Sequence, residues 1–217
     1  MINTIIFDLG GVLLNLDLQR SMESFGALGL DAKSWFTNES RENSAGGALC
    51  EGIVASKITD LYQTGKITTE EFLSEVLKGC RKGTTTKEVA AAWNAMLLDI
   101  PMKKLDVLKR LRRTGYKVYM LSNTNEEHWR YLEESVFPEP VLNYFDGVYL
   151  SQVLGMSKPD RRVFERVLKD IGAEAEECLF VDDTMANCKA AACLGLHTFK
   201  MEPNAMWDEE TIRMHLD

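Results

Sequence analysis

Short apolar runs separated by amphipathic stretches mark the two ends of this chain, and a purely helical periodicity marks its middle. Ile5-Ile6-Phe7, Lys117-Val118-Tyr119-Met120-Leu121, Val148-Tyr149-Leu150 and Leu179-Phe180-Val181 are candidate strands, with His197-Thr198-Phe199 a weaker fifth. Runs this short and this apolar suit a parallel sheet covered on both faces. Helical patterns lie between them. Pro101 to Arg113 carries Leu105, Leu108 and Leu111 at helical spacing, with Gly115 as a stop. Thr124-Asn125-Glu126-Glu127 reads as a capping box. Pro159 is placed in the first turn of a helix that reaches Ile171 and ends at Gly172, and a further helix follows Asp183 and ends at Gly195. Strand–helix alternation predicts an α/β fold with a doubly wound parallel sheet built from residues 1–15 and 98–217.

Residues 16–97 show no convincing strand. Leu18/Met22/Phe25, Ile53/Ile58/Leu61, Phe72/Val76/Leu77 and Val89/Trp93 recur at helical spacing, and Thr68-x-x-Glu71 is a capping box. This region is expected to be a small all-helical domain inserted after the first strand, with its crossings near 14–18 and 94–100 as a hinge.

Composition narrows the function classes. The 217 residues hold 25 Lys plus Arg against 33 Asp plus Glu, a net charge of −8, which disfavours nucleic acid as a partner. No stretch approaches the ~20 apolar residues of a membrane span, and no signal peptide is visible, so no membrane partner and a cytoplasmic location are expected. Cys50, Cys80, Cys178, Cys188 and Cys193 form no C-x-x-C and are expected to be reduced, mostly buried thiols. His128, His197 and His215 are scattered and have no metal-ligand spacing. A monomer or weak homodimer is expected.

The polar residues that follow the apolar runs carry the chemistry. They are Asp8-Leu9-Gly10-Gly11, Ser122-Asn123, Ser157-Lys158-Pro159 and Asp182-Asp183. Singly, each is ordinary: an aspartate after a strand is usually a turn former or helix cap. Together they bring three carboxylates, a hydroxyl, an amide and a lysine to the carboxyl edge of one sheet, where open α/β sheets bind ligands. Carboxylates without His or Cys favour a hard cation such as Mg²⁺, which prefers one or two carboxylates, water and a substrate phosphate. A carboxylate can also act as the nucleophile.

Phe7-Asp8-Leu9-Gly10-Gly11-Val12-Leu13, Leu121-Ser122-Asn123-Thr124, Lys158-Pro159 and Phe180-Val181-Asp182-Asp183 with Asn187 resemble, in order, the four motifs of the haloacid dehalogenase superfamily. The resemblance is to the branch with a helical cap after the first strand. Within it, the chain is most similar to bacterial sugar-phosphate phosphatases acting on substrates such as glucose 1-phosphate. The resemblance implies a Mg²⁺-dependent phosphatase for a small phosphorylated metabolite. Asp8 would be nucleophile and metal ligand, Gly10 would offer its carbonyl to the metal, and Asp183 would be the second carboxylate ligand, with Asp182 binding the metal directly or supporting it from behind. Ser122 and the Asn123 amide would hold phosphate oxygens, Lys158 would pair with Asp8 and the phosphoryl group, and Asn187 would orient the metal loop.

One position departs from that pattern. Most phosphatases of the superfamily carry an aspartate acid/base two residues after the nucleophile, and here that residue is Gly10. General acid–base help is worth about 10²–10⁴ in rate. A good leaving group, such as an anomeric phosphate, would need less of it. Asp17 could substitute, although a helix cap is its more ordinary role. Two alternatives follow from Gly10: a metal-independent 2-haloacid dehalogenase, which the Asp182-Asp183 pair opposes, and a phosphometabolite sensor without turnover. A sugar phosphomutase is disfavoured, since that chemistry relies on the missing acid/base. Trp35, Phe36, Arg41, Trp93 and Asn94 are candidates for contacting the organic part of a substrate, with core packing the more ordinary role of the aromatics.

Overall fold

The computed structural model describes residues 1–32 and 57–216. Five parallel strands form one sheet: β1 (Thr4–Phe7), β2 (Lys117–Ser122), β3 (Gly147–Leu150), β4 (Cys178–Asp182) and β5 (His197–Lys200), in the order β3-β2-β1-β4-β5. All five predicted runs are strands. Their alternation follows the pleat. Ile5 and Phe7 of β1 join one apolar cluster with Val118, Met120, Leu179 and Val181. Ile6 points to the other face and packs with Leu121, Phe164 and Phe180. A sheet buried on both faces needs apolar residues at nearly every position, which is why these runs are continuous rather than alternating.

Helices α1 (Leu18–Ala27), α2 (Lys57–Gln63), α3 (Thr69–Leu77) and α4 (Thr86–Asn94) come from the region read as helical. The Thr68–Glu71 capping box is formed. Phe25, Phe72 and Trp93 of these helices belong to the same apolar cluster as Ile5 and Phe7. Ile53 lies outside the described residues. The remaining helices are α5 (Met102–Arg113), α6 (Glu126–Ser135), α7 (Ser151–Leu154), α8 (Arg161–Ile171), α9 (Met185–Ala192) and α10 (Glu209–Arg213). Among the described residues no helix is long and apolar enough to cross a membrane.

Two helix starts differ from expectation. The cap of α6 is Asn125 rather than Thr124; its side chain accepts from His128 N. Thr124 is instead held by Ser151, whose Oγ accepts from Thr124 N and donates to Thr124 O, both at 2.9 Å. Pro159 precedes α8 instead of opening it, because Asp160 takes the cap by accepting from Arg162 N. Cysteine burial is uneven: Cys178 and Cys188 are buried, Cys80 is half-buried and Cys193 is exposed, with Cys50 outside the described residues.

The two crossings between sheet and helices run side by side. Leu16 and Leu97 form an antiparallel bridge, Asn15 N donates to Asp99 O, and Leu98 N donates to Asn15 O. The loop after β1 is tied down from behind by the chain's last segment. The Val12 carbonyl accepts from Trp207 Nε1 at 2.9 Å and from Lys104 Nζ at 2.7 Å. Trp207 stacks on Phe7 with 5.5 Å between ring centres. Asn204 donates to Leu16 O and accepts from Leu16 N.

Lys104 is completely buried, and burial pushes its pKa down to about 8. In the unfolded chain a lysine titrates near 10.4. Below about pH 8 the lysine is charged in both states, and the fold bears the full cost of burying the charge. Between about pH 8 and 10.4 the native state sheds a proton that the unfolded state keeps, so stability rises with pH. Lys104→Met leaves Val12 its Trp207 donor and removes the buried charge. A gain of about 1 kcal/mol at neutral pH is expected, narrowing above about pH 8. Urea melts of both proteins across that range measure it; a destabilised variant would show that the Lys104–Val12 hydrogen bond outweighs the burial.

Candidate active site

The strand order reverses at β1: the chain moves from β1 to β2 and β3 on one side, then crosses to β4 on the other. The carboxyl ends of β1 and β4 therefore flank the switch point, where open sheets bind ligands. Asp8 follows β1, and its N–H donates to Val181 O at 2.8 Å, extending the parallel pairing by one residue. Asp182 ends β4, and Asp183 follows it. One ligand oxygen from each of Asp8, Asp182 and Asp183 can be chosen so that all lie within 4.8 Å of one another.

Lys158 sits between two of these carboxylates. Its Nζ is 2.8 Å from Asp8 Oδ1 and 2.7 Å from Asp182 Oδ2, with the side chain 1% exposed. Asp8 Oδ1 also accepts from Leu9 N at 2.6 Å. Asp182, fully buried, accepts in addition from Thr184 N and from Asn187 Nδ2. Asp182 is thus saturated by protein donors, whereas Asp8 and Asp183 line an open cavity.

The electrostatics follow from this count. Burial pushes Asp8 up to about 8, with Lys158 opposing and the charges of Asp182 and Asp183 adding to the rise. Burial and then the Asp182 charge also raise Asp183. For Lys158, burial works against the charge, but Asp182 and Asp8 outweigh it and hold the ammonium above the usual lysine value. Three carboxylates against one ammonium leave an excess of negative charge in a poorly solvated place. The oxygen-only donor set and this excess fit a hard divalent cation of the Mg²⁺ type.

β2 and the loop before α8 complete the polar end. Ser122 is buried and lines the cavity. Asn123 does not offer its side chain to a ligand: Nδ2 donates to Lys158 O at 2.8 Å and Oδ1 accepts from Lys158 N at 2.9 Å. That clasp fixes the lysine's backbone and leaves the Asn123 main-chain N–H as the group able to meet an oxyanion. Gly10 is at the cavity wall. A Cβ there would come within 2.9 Å of Leu16 Cδ1, so Leu16 fills the space a longer residue would occupy.

The cavity has a volume of about 280 Å³. Beside the carboxylates its lining includes the apolar Leu14, Leu16, Leu18, Met96 and Leu132 and the polar Gln63, Asn125 and His128. Of the residues expected to meet the organic part of a substrate, Trp93 lines this cavity. Asn94 does not; it donates to Glu127 Oε1 at 2.8 Å elsewhere. Trp35, Phe36 and Arg41 lie outside the described residues. Asp17 caps α1, accepting from Gln19 N, and is absent from the cavity wall.

Sequence reasoning missed Gln63, Asn125 and His128 as pocket residues. A signal for two of them exists. An Asn cap at the end of a strand places the third residue of the helix back over the cap, so Asn125 and His128 share one face at the sheet's carboxyl edge.

A family model described as haloacid dehalogenase-like hydrolase matches residues 2–195. D-ribitol-5-phosphate phosphatase of Bacteroides thetaiotaomicron is 33% identical over 97% of both chains. A HAD family enzyme from the same organism, solved in complex with magnesium and inorganic phosphate, superposes with a TM-score of 0.83 at 35% identity, over 95% of this chain and 98% of that one. The structure of a predicted HAD-like family hydrolase from Porphyromonas gingivalis also gives 0.83, at 29% identity over 99% and 98%.

Proposed function

The chain belongs to the haloacid dehalogenase-like hydrolases and is a phosphoric monoester hydrolase, and from that premise we propose that it cleaves a small sugar or polyol phosphate with Mg²⁺, using Asp8 as the nucleophile. The observation that carries this reading is the Asp8–Lys158–Asp182 chain beside Asp183, opening into a cavity that also holds Ser122. In this reading residues 1–15 and 98–217 form the catalytic core, and residues 16–97 are a helical cap. The hydrogen-bonded segments at Asn15 and Asp99 are the crossing between them.

Asp8, Asp183 and the Gly10 carbonyl would hold the metal, with Asp182 steadying the loop through Asn187 and Lys158. A bound Mg²⁺ would neutralise phosphoryl charge. The remaining steps fall to the protein. Asp8 Oδ1 is committed to Leu9 N–H and Lys158, which orients the carboxylate. An Asp8 oxygen forms a bond to phosphorus while the ester O–P bond breaks. The departing alcohol takes its proton from water, because Gly10 supplies none. Water then attacks the aspartyl-phosphate, releasing phosphate and restoring the carboxylate. Lys158, Ser122 Oγ and the Asn123 N–H meet the phosphoryl oxygens, where fixed donors act most strongly.

D-Ribitol 5-phosphate, the substrate in the relative's name, is an unactivated alkyl ester, so turnover of it would show how far Gly10 limits the chain to good leaving groups. The three-carboxylate cluster favours this reading over a metal-independent dehalogenase. Phosphate release from sugar, polyol and aryl phosphates, with MgCl₂ and with EDTA, tests it. Release that needs Mg²⁺ is expected; turnover unaffected by EDTA would overturn the metal assignment.

A second expectation concerns stability. Asp8 and Asp183 have raised pKa values in the metal-free fold, so the native state keeps protons that the unfolded state has lost. Stability of the metal-free protein therefore falls as pH rises from about 4 toward about 8. Protons and Mg²⁺ compete for the same oxygens. The rise in Tm on adding saturating MgCl₂ is expected to be larger near pH 8 than near pH 6, and an equal rise at both would contradict the linkage.

A further inference from the structure

The cavity lining has two further polar groups with free valences. His128 Nε2 lies 3.1 Å from the Trp93 carbonyl, which can only accept, so Nε2 carries the proton and Nδ1 presents a lone pair. The ring is stacked on Trp93 with 4.8 Å between centres, and a flip within that stack would put carbon in place of Nε2 at the Trp93 carbonyl and lose the hydrogen bond. Asn125 Oδ1 accepts from both Trp93 Nε1 and His128 N, which fixes the amide's orientation and leaves Nδ2 as a donor. Both residues line the cavity. Neither Nδ1 nor Nδ2 is among the sealed side-chain atoms that lack a partner, so both are accessible on residues that line the cavity. Burial holds the imidazole pKa down near 4, which keeps the ring neutral at working pH.

An acceptor beside a donor complements a hydroxyl group, which gives one proton and takes another. The charges nearby point the same way. Among the described residues lining the cavity, Lys158 is the single cationic side chain, and it is already committed to Asp8 and Asp182. Among the described lining residues no uncommitted cation would balance a second anionic group, and the Nδ1 lone pair would repel one. The neighbouring Leu14, Leu16 and Leu132 accept carbon.

We infer that His128 and Asn125 form an alcohol-recognising subsite that selects monophosphates of small, uncharged, hydroxylated groups over esters carrying a second phosphate or a carboxylate. This rests on the phosphatase reading above. A site built around a substrate hydroxyl discriminates strongly against the analogue lacking it, because its own polar groups are then left unpaired.

The test measures kcat/KM for ribitol 5-phosphate, pentyl phosphate and 3-phosphoglycerate, with p-nitrophenyl phosphate as an internal standard. In the wild type, ribitol 5-phosphate is expected to exceed each of the other two alkyl esters by tenfold or more. In His128→Phe, which keeps a stacked ring but no acceptor, the ribitol-to-pentyl ratio should fall about tenfold, mainly through KM. Asn125→Asp keeps the helix cap and both accepted bonds while losing the donor, and should lower the same ratio if His128→Phe does not fold. Three results would overturn the inference: a wild type indifferent to the hydroxyls, a preference for 3-phosphoglycerate, or an unchanged ratio in the folded variants. If p-nitrophenyl phosphate is hydrolysed, those results count against the subsite alone. If nothing is hydrolysed, the phosphatase reading falls and the subsite with it.

Discussion

Asp8→Asn is expected to lower kcat by about 10⁴ or more without lowering stability. The amide is a poor nucleophile, and among the described residues the neighbouring carboxylates are spoken for: Asp182 is saturated by Lys158, Thr184 and Asn187, and Asp183 would be held by the metal. The stability half separates catalysis from folding. Burial and two neighbouring carboxylates already disfavour the ionised Asp8 in the metal-free protein. A neutral isostere relieves that repulsion, at the loss of one contact to Lys158. The metal-free Tm at neutral pH should therefore hold or rise, while the Mg²⁺-induced rise shrinks. Steady-state kinetics and thermal melts, each with and without Mg²⁺, check both halves. A variant that loses activity together with several degrees of Tm would point to Asp8 as a structural ion-pair partner.

Gly11→Ala is expected to damage the site strongly although it removes no functional atom. Gly11 has φ +74°, in the left-handed region, and an added Cβ would lie 2.3 Å from Asp183 Oδ2. Backbone strain alone costs about 1–3 kcal/mol. The clash adds to it, and Asp183 must swing away from Asp8. A loss of about 10² or more in kcat/KM is expected, together with weaker Mg²⁺ binding. Gly10→Ala is the control. Its Cβ would meet the tip of the flexible Leu16 side chain at 2.9 Å, and Gly10 has no positive φ. It should cost less than about 1 kcal/mol, because Leu16 can change rotamer whereas the Asp183 loop has no slack. Urea melts and Mg²⁺ titrations of the pair measure the difference; equal effects would refute the Asp183 argument.

The acidic chain's fold was legible because its signals are local. Each strand is an apolar run that both faces of the sheet require, and β1, β2, β3, β4 and β5 all lie where those runs are. Asp8, Ser122, Lys158 and Asp183 were legible for a related reason. Asp8 and Asp183 follow strands, Ser122 ends one and Lys158 lies one short helix beyond β3, and parallel strands deliver their carboxyl ends to one edge. The capping boxes divided instructively. Thr68–Glu71 forms as read, but Thr124 is claimed by Ser151, 27 positions away in sequence, and Asn125 takes the cap. Pro159 was displaced from α8 in a similar way, with Asp160 capping the helix and Asn123 clasping the residue before the proline.

What the sequence determined by itself is the order of the elements, the family, and which carboxylates meet, since periodicity and strand-end position are properties of contiguous residues. Tertiary structure decided what each polar group is left free to do. It saturated Asp182, turned the Asn123 side chain from ligand to clasp, made Asp17 a cap, and closed position 10 with Leu16. It also brought His128, from a helix after β2, onto the carbonyl of Trp93 in α4. A side chain's free valence depends on partners tens to hundreds of residues away. No local pattern records those partners, because packing chooses them.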